Sequence, residues 1–104
     1  MAGIGAGGVG LNIVQGAHVA GAERIIAVDL NPEKLALATT FGATDTVNGA
    51  DGDAVAAVVE LTGGGVDYAF EAIGLSATAA QAVMMVRPGA TAYLLTDRFP
   101  RLLT

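Results

Sequence analysis

The first ten residues contain a glycine pattern that restricts the fold more than any other stretch of the chain. Gly5, Gly7 and Gly10 occupy the first, third and sixth places of a hexad. Between a strand and a helix, such glycines permit a tight turn, close approach of a phosphate to the backbone, and close packing of the helix on its strand. Gly3, Gly5 and Gly8 have the same spacing, so two registers are open. We prefer the register that starts at Gly5, because the other shortens an already short first strand.

Downstream of this turn, short apolar runs alternate with segments of helical spacing. Strands are predicted at residues 2–4, 24–29, 46–47, 66–70 and 91–95, and helices at residues 9–20, 32–41, 51–61 and 76–85. This alternation predicts a parallel sheet with helices on both faces. Right-handed crossovers give the strand order 3-2-1-4-5, so the expected fold class is α/β, with a Rossmann-type sheet.

Capping and spacing predict further details of the helices. Asn31 followed by Pro32 is typical of a capped helix start, and Ser76 is predicted to cap the fourth helix. Pro88 and the glycine after it are expected to turn the chain into the fifth strand. Val9, Ile13, Ala17 and Ala20 fall at helical spacing and predict the first helix, which Gly21 is expected to end.

Composition excludes several classes of function. The 104 residues carry a net charge of −5, which opposes nucleic acid and anionic membranes as partners. The chain has no cysteine and one histidine, which excludes disulfides, thiolate chemistry and multi-histidine metal sites. Residues 1–22 are uncharged but contain seven glycines and no positive n-region, so we reject a signal peptide or membrane span there. A cytoplasmic location is the resulting expectation.

Asp29 strengthens the interpretation of the glycine turn as a cofactor site. It ends the second predicted strand 19 residues beyond Gly10, close to the separation of about 20 residues in the dinucleotide fingerprint. A carboxylate there can accept hydrogen bonds from the adenosine ribose and repels the 2′-phosphate of NADP. Leu30 follows, where an NADP-binding protein is better served by an arginine. We therefore expect NAD; the alternative for Asp29 is a solvated carboxylate at a strand end.

The other candidate binding residues lie at the same predicted edge of the sheet. The amides of Gly8, Val9 and Gly10 begin the first helix, where the helix dipole favours a pyrophosphate. Ile73 follows the fourth strand and can cover the adenine or serve only in packing. Glu71 ends that strand, and a carboxylate that anchors the following loop is favoured over a catalytic base.

Several motifs together resemble one family. They are residues 5–12, 15–17, 25–34 (IIAVDLNPEK), 41–44, 63–71 (GGGVDYAFE) and 87–89. In one register over residues 3–94, the chain is similar to the coenzyme domain of medium-chain, zinc-dependent alcohol dehydrogenases. The similarity is greatest to the class III branch, the thiol-dependent formaldehyde dehydrogenases. The resemblance implies that Asp29 and Lys34 contact the adenosine ribose and that Ile73 lies against the adenine. For Lys34, a solvated helix lysine is the alternative.

The departures from the family are equally specific. Its zinc ligands lie in a separate catalytic domain, so this chain is expected to bind no zinc, to contain no catalytic residue and to show no turnover alone. An alcohol or aldehyde substrate is expected only where a catalytic domain is present, and the oligomeric state is open. We expect a partial NAD-binding domain over residues 1–95 and a divergent tail over residues 96–104, without the sixth strand, as in a truncated or frame-shifted copy.

Three alternatives to an oxidoreductase domain stay open at this point. The chain can be a stand-alone dinucleotide-binding module without catalysis. It can be a decayed fragment without function, since a fifth strand at an exposed sheet edge promotes aggregation. A binder of S-adenosylmethionine is also possible, because methyltransferase-like sheets also place an acid after the second strand.

Overall fold

The sheet predicted from the sequence is present, with its central strand directly before the glycine turn. A computed structural model describes residues 1–94. Within them the strands are β1 (Ala2–Ile4), β2 (Ile26–Asp29), β3 (Asp45–Asn48), β4 (Val66–Glu71) and β5 (Val86–Leu94), and the α-helices are α1 (Gly8–Val19), α2 (Pro32–Phe41), α3 (Ala54–Thr62) and α4 (Ser76–Met85). All strand pairs are parallel, in the order β3-β2-β1-β4-β5. The predicted α/β fold and strand order are confirmed.

The central strands of the sheet are buried between two layers of helices. On one face, Ile4, Ile26 and Val28 pack with Val58 of α3 and Met85 of α4. On the other face, the apolar side chains come from the glycine turn, α1, α2, β2 and the residue before β2: Ala6, Leu11, Val14, Leu35, Ala38, Ala27 and Ile25. Successive β2 residues therefore point to opposite cores, as expected for a strand covered on both faces. Many of these side chains are alanine, so each buries little apolar surface.

The second helix begins as predicted. Asn31 Oδ1 accepts hydrogen bonds from the amides of Glu33 (2.9 Å) and Lys34 (3.4 Å), and Pro32 occupies the first helical position. This cap fixes the point at which the chain leaves β2 and enters α2.

The helical spacing of Val9, Ile13, Ala17 and Ala20 predicts α1 but does not mark its buried face. Its buried residues are Gly10, Leu11 and Val14, whereas Val9 is 57% exposed and Ala20 is also exposed. Small and apolar residues make up most of this helix, so the spacing of the apolar residues alone does not identify its inner face. Close packing at Gly10 selects the face that turns inward.

Three other boundaries also differ from prediction. α3 starts at Ala54 rather than at residue 51, because a 3₁₀ turn (Gly49–Asp51) precedes it and Asp53 caps it by accepting from the Ala56 amide at 3.1 Å. Ser76 is the first residue of α4 and not its cap. β5 starts directly after α4, so the Pro88–Gly89 pair lies in an irregular part of the strand rather than before it. Residue 95 and the predicted tail lie outside the described residues.

Candidate functional site

A cleft of about 450 Å³ lies at the carboxyl ends of the central strands, where the strand order reverses between β1 and β4. This is the edge of an open α/β sheet at which ligands generally bind. Six predicted binding residues line the cleft: Gly5, Gly7, Asp29, Leu30, Lys34 and Ile73. The other three, Gly8, Val9 and Gly10, form the first turn of α1 next to it. The structure therefore brings all nine predicted residues to one place.

The glycines of the turn are required for different structural reasons. Gly5 has a φ of +99°, and a Cβ atom there would lie 2.8 Å from Ile73 Cγ1. A Cβ atom on Gly10 would lie 1.8 Å from the carbonyl oxygen of Gly5, so only glycine lets α1 pack this closely on the turn. Gly3, by contrast, lies within β1. This geometry agrees with the register that starts at Gly5.

Nothing inside the protein explains the glycine at position 7. Its backbone (φ −78°, ψ −164°) is extended, a conformation open to any residue. A Cβ atom there would have no neighbour within 4 Å. Gly7 also lines the cleft. A side chain at this position would therefore occupy space in the cleft rather than collide with the fold.

The N-terminus of α1 provides backbone donors at the cleft. Gly7 is the N-cap residue and offers no side chain to accept from the first amides of the helix, and the first turn contains no acidic residue. The first amides of a helix lack partners within the helix and carry the positive end of its dipole. This end of α1 is thus suited to a negatively charged group.

Asp29 connects the two halves of the site. Its Oδ2 accepts a hydrogen bond from the amide of Ala6, in the glycine turn, at 2.8 Å. Its Oδ1 accepts from the amide of Asn31, at the cap of α2, at 2.9 Å. A carboxylate has about four lone-pair positions, so acceptor capacity remains for a ligand. The sequence does not reveal this structural role, because it depends on a contact between residues 23 positions apart.

Leu30 and Lys34 form the side of the cleft beyond Asp29. Leu30 is 67% exposed, and its Cδ2 packs close to Gly49, which follows β3. Lys34 is exposed in the first turn of α2 and places a cation on the same side of the cleft. Neither side chain is needed to fill a core, so both are available to a ligand.

The opposite side of the cleft is the loop that follows β4. Ile73 in this loop is 47% exposed and lies against Gly5. Glu71 is fully buried, and its Oε1 accepts from the amides of Ile73 and Gly74, each at 2.6 Å, and from Thr78 Oγ1 at 3.0 Å. The favoured interpretation of Glu71 as a loop anchor agrees with these contacts.

Within residues 1–94, the structure shows neither a group of metal ligands nor a helix that could span a membrane. Within that range, no group of three or more histidine and acidic side chains could hold a metal ion. No described helix is long and apolar enough to cross a membrane.

Comparisons with known proteins agree with the fold and the motifs. The family described as zinc-binding dehydrogenase matches residues 8–96. The chain is 54% identical over 72 residues to an S-(hydroxymethyl)glutathione dehydrogenase from Synechocystis, over 67% of this chain and 20% of that protein. It is 44% identical over 88 residues to alcohol dehydrogenase-like 5 from Arabidopsis thaliana, over 82% of this chain and 23% of that protein.

A solved structure extends the comparison to three dimensions. A protein described as a zinc-binding dehydrogenase from Sinorhizobium meliloti, bound to NADP, superimposes with a TM-score of 0.87 at 34% identity, covering 98% of this chain and 34% of that one. The chain thus spans between a fifth and about a third of the length of these relatives. It belongs to the family of zinc-binding dehydrogenases and has the fold of their alcohol-dehydrogenase-like NAD-binding domain.

Proposed function

We propose that the cleft binds NAD, with the adenosine ribose at Asp29, the pyrophosphate at the first amides of α1 and the adenine beside Ile73. The observation that carries the proposal is the 2.8 Å hydrogen bond from the Ala6 amide to Asp29 Oδ2. It joins the glycine turn and the acidic residue, the two parts of the dinucleotide fingerprint, in one cleft.

The residues around the cleft have separate tasks in this proposal. Asp29 uses its free acceptor positions for the ribose hydroxyls, while its existing bonds hold the carboxylate in place. Gly7 leaves open the space through which the pyrophosphate approaches the backbone. The ammonium group of Lys34 supplies a donor to the same ribose.

Asp29 and Leu30 favour NAD over NADP. A 2′-phosphate would be repelled by the Asp29 carboxylate, and Leu30 provides no positive charge to offset that repulsion. The relative from Sinorhizobium meliloti was solved with NADP, so both dinucleotides need to be tested.

The chemistry belongs to the whole protein, of which this chain supplies the binding and orientation of the cofactor. Bound NAD supplies a nicotinamide ring that accepts a hydride. The described residues do not fit a zinc site, because they lack a cluster of metal ligands and the chain has no cysteine. We propose an alcohol or aldehyde as the substrate of the whole protein, and we assign no bond-making step to this chain. The cytoplasmic location stays a prediction.

Calorimetric titration of the 104-residue chain tests the proposal. We expect NAD to bind with a Kd of about micromolar order and NADP to bind at least about tenfold more weakly. S-adenosylmethionine is the third ligand, because tighter binding of that compound would favour the methyltransferase-like alternative.

Two variants test the assigned role of the acidic residue. Asp29→Asn is expected to weaken NAD binding. The backbone amides of Ala6 and Asn31 each donate to one oxygen of Asp29, and in asparagine one of these oxygens is replaced by an NH₂ group, which is itself a donor. Asp51→Asn is the matched control, since Asp51 is exposed, lies outside the cleft and loses the same charge. The proposal fails if the folded wild-type chain releases no heat with NAD, or if both variants bind NAD equally well.

A further inference from the structure

Glu71 is a buried acidic residue directly beneath one side of the cleft. It is 0% exposed and does not line the cleft, although Ala72, Ile73, Leu75 and others beyond it in the chain do. A general base must reach the atom that it deprotonates. The position of Glu71 therefore points away from catalysis and toward the loop above it.

The loop depends on this carboxylate for its hydrogen bonds. Within the described part of the chain, the amides of Ile73 and Gly74 donate to Glu71 Oε1 and to no other acceptor. Thr78 Oγ1 lies 3.0 Å from both Glu71 Oε1 and the carbonyl oxygen of Leu75. Thr78 has a single hydroxyl proton, and a carboxylate is a stronger acceptor than a carbonyl that already accepts from the Ala79 amide at 3.0 Å, so the bond to Glu71 is favoured.

Packing holds this loop only weakly. Ile73 is 47% exposed and Leu75 is 51% exposed, so neither side chain gains much from burial. The loop begins with a backbone bond from the amide of Ala72 to the carbonyl of Ile4, at 3.0 Å. From there to the start of α4, the carboxylate of Glu71 is the principal restraint on the backbone.

We propose that Glu71 is a positioning residue for the dinucleotide, one that holds the loop with Ile73 at the adenine side of the cleft. This inference rests on the proposed function. Bonds to a charged acceptor are stronger than bonds between neutral groups, so one carboxylate can order a loop of this length. Without it, only a fraction of the chains have Ile73 in place at any moment, and the apparent Kd rises in proportion to the reciprocal of that fraction.

A pair of variants separates the hydrogen-bond acceptor from the rest of the side chain. Glu71→Met keeps most of the volume and removes the acceptor. Glu71→Gln keeps an oxygen for the amides of Ile73 and Gly74, and its NH₂ group replaces Oε2, which has no partner among the described residues. If the loop is in place in about a tenth of the Glu71→Met chains, the Kd of that variant for NAD rises about tenfold. The Kd of Glu71→Gln for NAD should stay within about threefold of the wild-type value.

A control distinguishes this effect from a general loss of stability. Val58→Ala removes buried side-chain volume from the core between α3 and the sheet, and Val58 does not line the cleft. It should lower the unfolding midpoint without changing the Kd for NAD. Hydrogen exchange provides the second readout: the amides of Ile73 and Gly74 should lose protection in Glu71→Met and keep much of it in Glu71→Gln.

The outcomes separate this inference from the proposed function. Absence of NAD binding by the folded wild-type chain overturns both. Normal binding by the wild type, with the same Kd in Glu71→Met and Val58→Ala, overturns the role of Glu71 alone. That role is also overturned if Glu71→Gln fails to restore binding while the exchange of both amides stays slow. If Glu71→Met does not fold, Glu71→Asp, which moves the acceptor back by one methylene, takes its place with the same expectations.

Discussion

Substitution of Gly10 by alanine tests whether close packing of α1 on the glycine turn requires glycine at this position. The new Cβ atom would lie 1.8 Å from the carbonyl oxygen of Gly5 and 2.7 Å from its carbonyl carbon. A carbon atom normally approaches a carbonyl oxygen to about 3.3 Å or more. The helix or the turn must therefore move by about 1.5 Å, because both groups belong to the backbone and no side chain can rotate away.

The cost follows from two opposing contributions. Forced insertion of a methyl group into a packed site typically costs about 1–3 kcal/mol, and a clash with backbone belongs at the upper end of that range. Alanine recovers about 0.5–1 kcal/mol relative to glycine within a helix. The expected net loss is about 2 kcal/mol, a large fraction of the free energy of unfolding of about 5–15 kcal/mol for a domain of this size.

Gly16→Ala is the matched control, because it lies in the same helix and a Cβ atom there would have no neighbour within 4 Å. It should raise the free energy of unfolding by about 0.5–1 kcal/mol. Urea unfolding followed by far-UV circular dichroism measures both changes, since the chain has no tryptophan to report by fluorescence. The urea midpoint should fall by about 0.7–2 M for Gly10→Ala and rise for Gly16→Ala. A Gly10→Ala midpoint equal to or above that of wild type would refute the packing argument.

Three further predictions concern other parts of the chain. Gly7→Ala should leave the free energy of unfolding within about 0.5 kcal/mol of wild type but weaken NAD binding at least about tenfold, because the new methyl group enters the cleft; a large loss of stability in urea unfolding would contradict this. Asn31→Ala should lower the free energy of unfolding by about 1 kcal/mol through loss of the helix cap, and an unchanged urea midpoint would count against that role. The Arg87 guanidinium, which donates to Asp67 Oδ1 at 2.5 Å, lowers the pKa of that carboxyl. The pair therefore stabilises the fold above the unfolded-state pKa of about 3.9 and ceases to do so as the pH falls through the lower folded-state value. Thermal unfolding should show a small difference between wild type and Asp67→Asn at pH 6 that disappears near pH 2 and in high salt, because both groups are exposed.

The fold could be predicted because strong local signals agree with one another. The apolar run before Asp29, the Asn31–Pro32 cap and the glycine turn each specify one junction of the chain. Parallel strands with right-handed crossovers narrow the possible strand orders to a few, and 3-2-1-4-5 is the order expected for a sheet that carries the dinucleotide-binding turn. The same junctions place the candidate residues at one edge of the sheet, where the cleft lies.

The details that could not be predicted depend on contacts between distant parts of the chain. The buried face of α1 is set by contact between Gly10 and the Gly5 carbonyl, and the spacing of alanines and glycines does not reveal that contact. The bond from the Ala6 amide to Asp29 likewise joins two elements that only the folded sheet brings together. The predicted start of β5 is wrong because proline and glycine usually mark a turn, whereas here they occupy an irregular part of the strand pairing.

The central claim is that the cleft at the end of the sheet binds NAD. Amide chemical shifts of the ¹⁵N-labelled chain, followed during titration with NAD, test it most directly because they report both binding and its location. We predict saturable shifts at Ala6 and at the first amides of α1, together with Asn31 and Ile73, and little change in α3 beyond Ala54, which lines the cleft. The claim is contradicted if no amide of the folded chain shifts at millimolar NAD, or if the shifts cluster along β3 and α3 and spare the glycine turn.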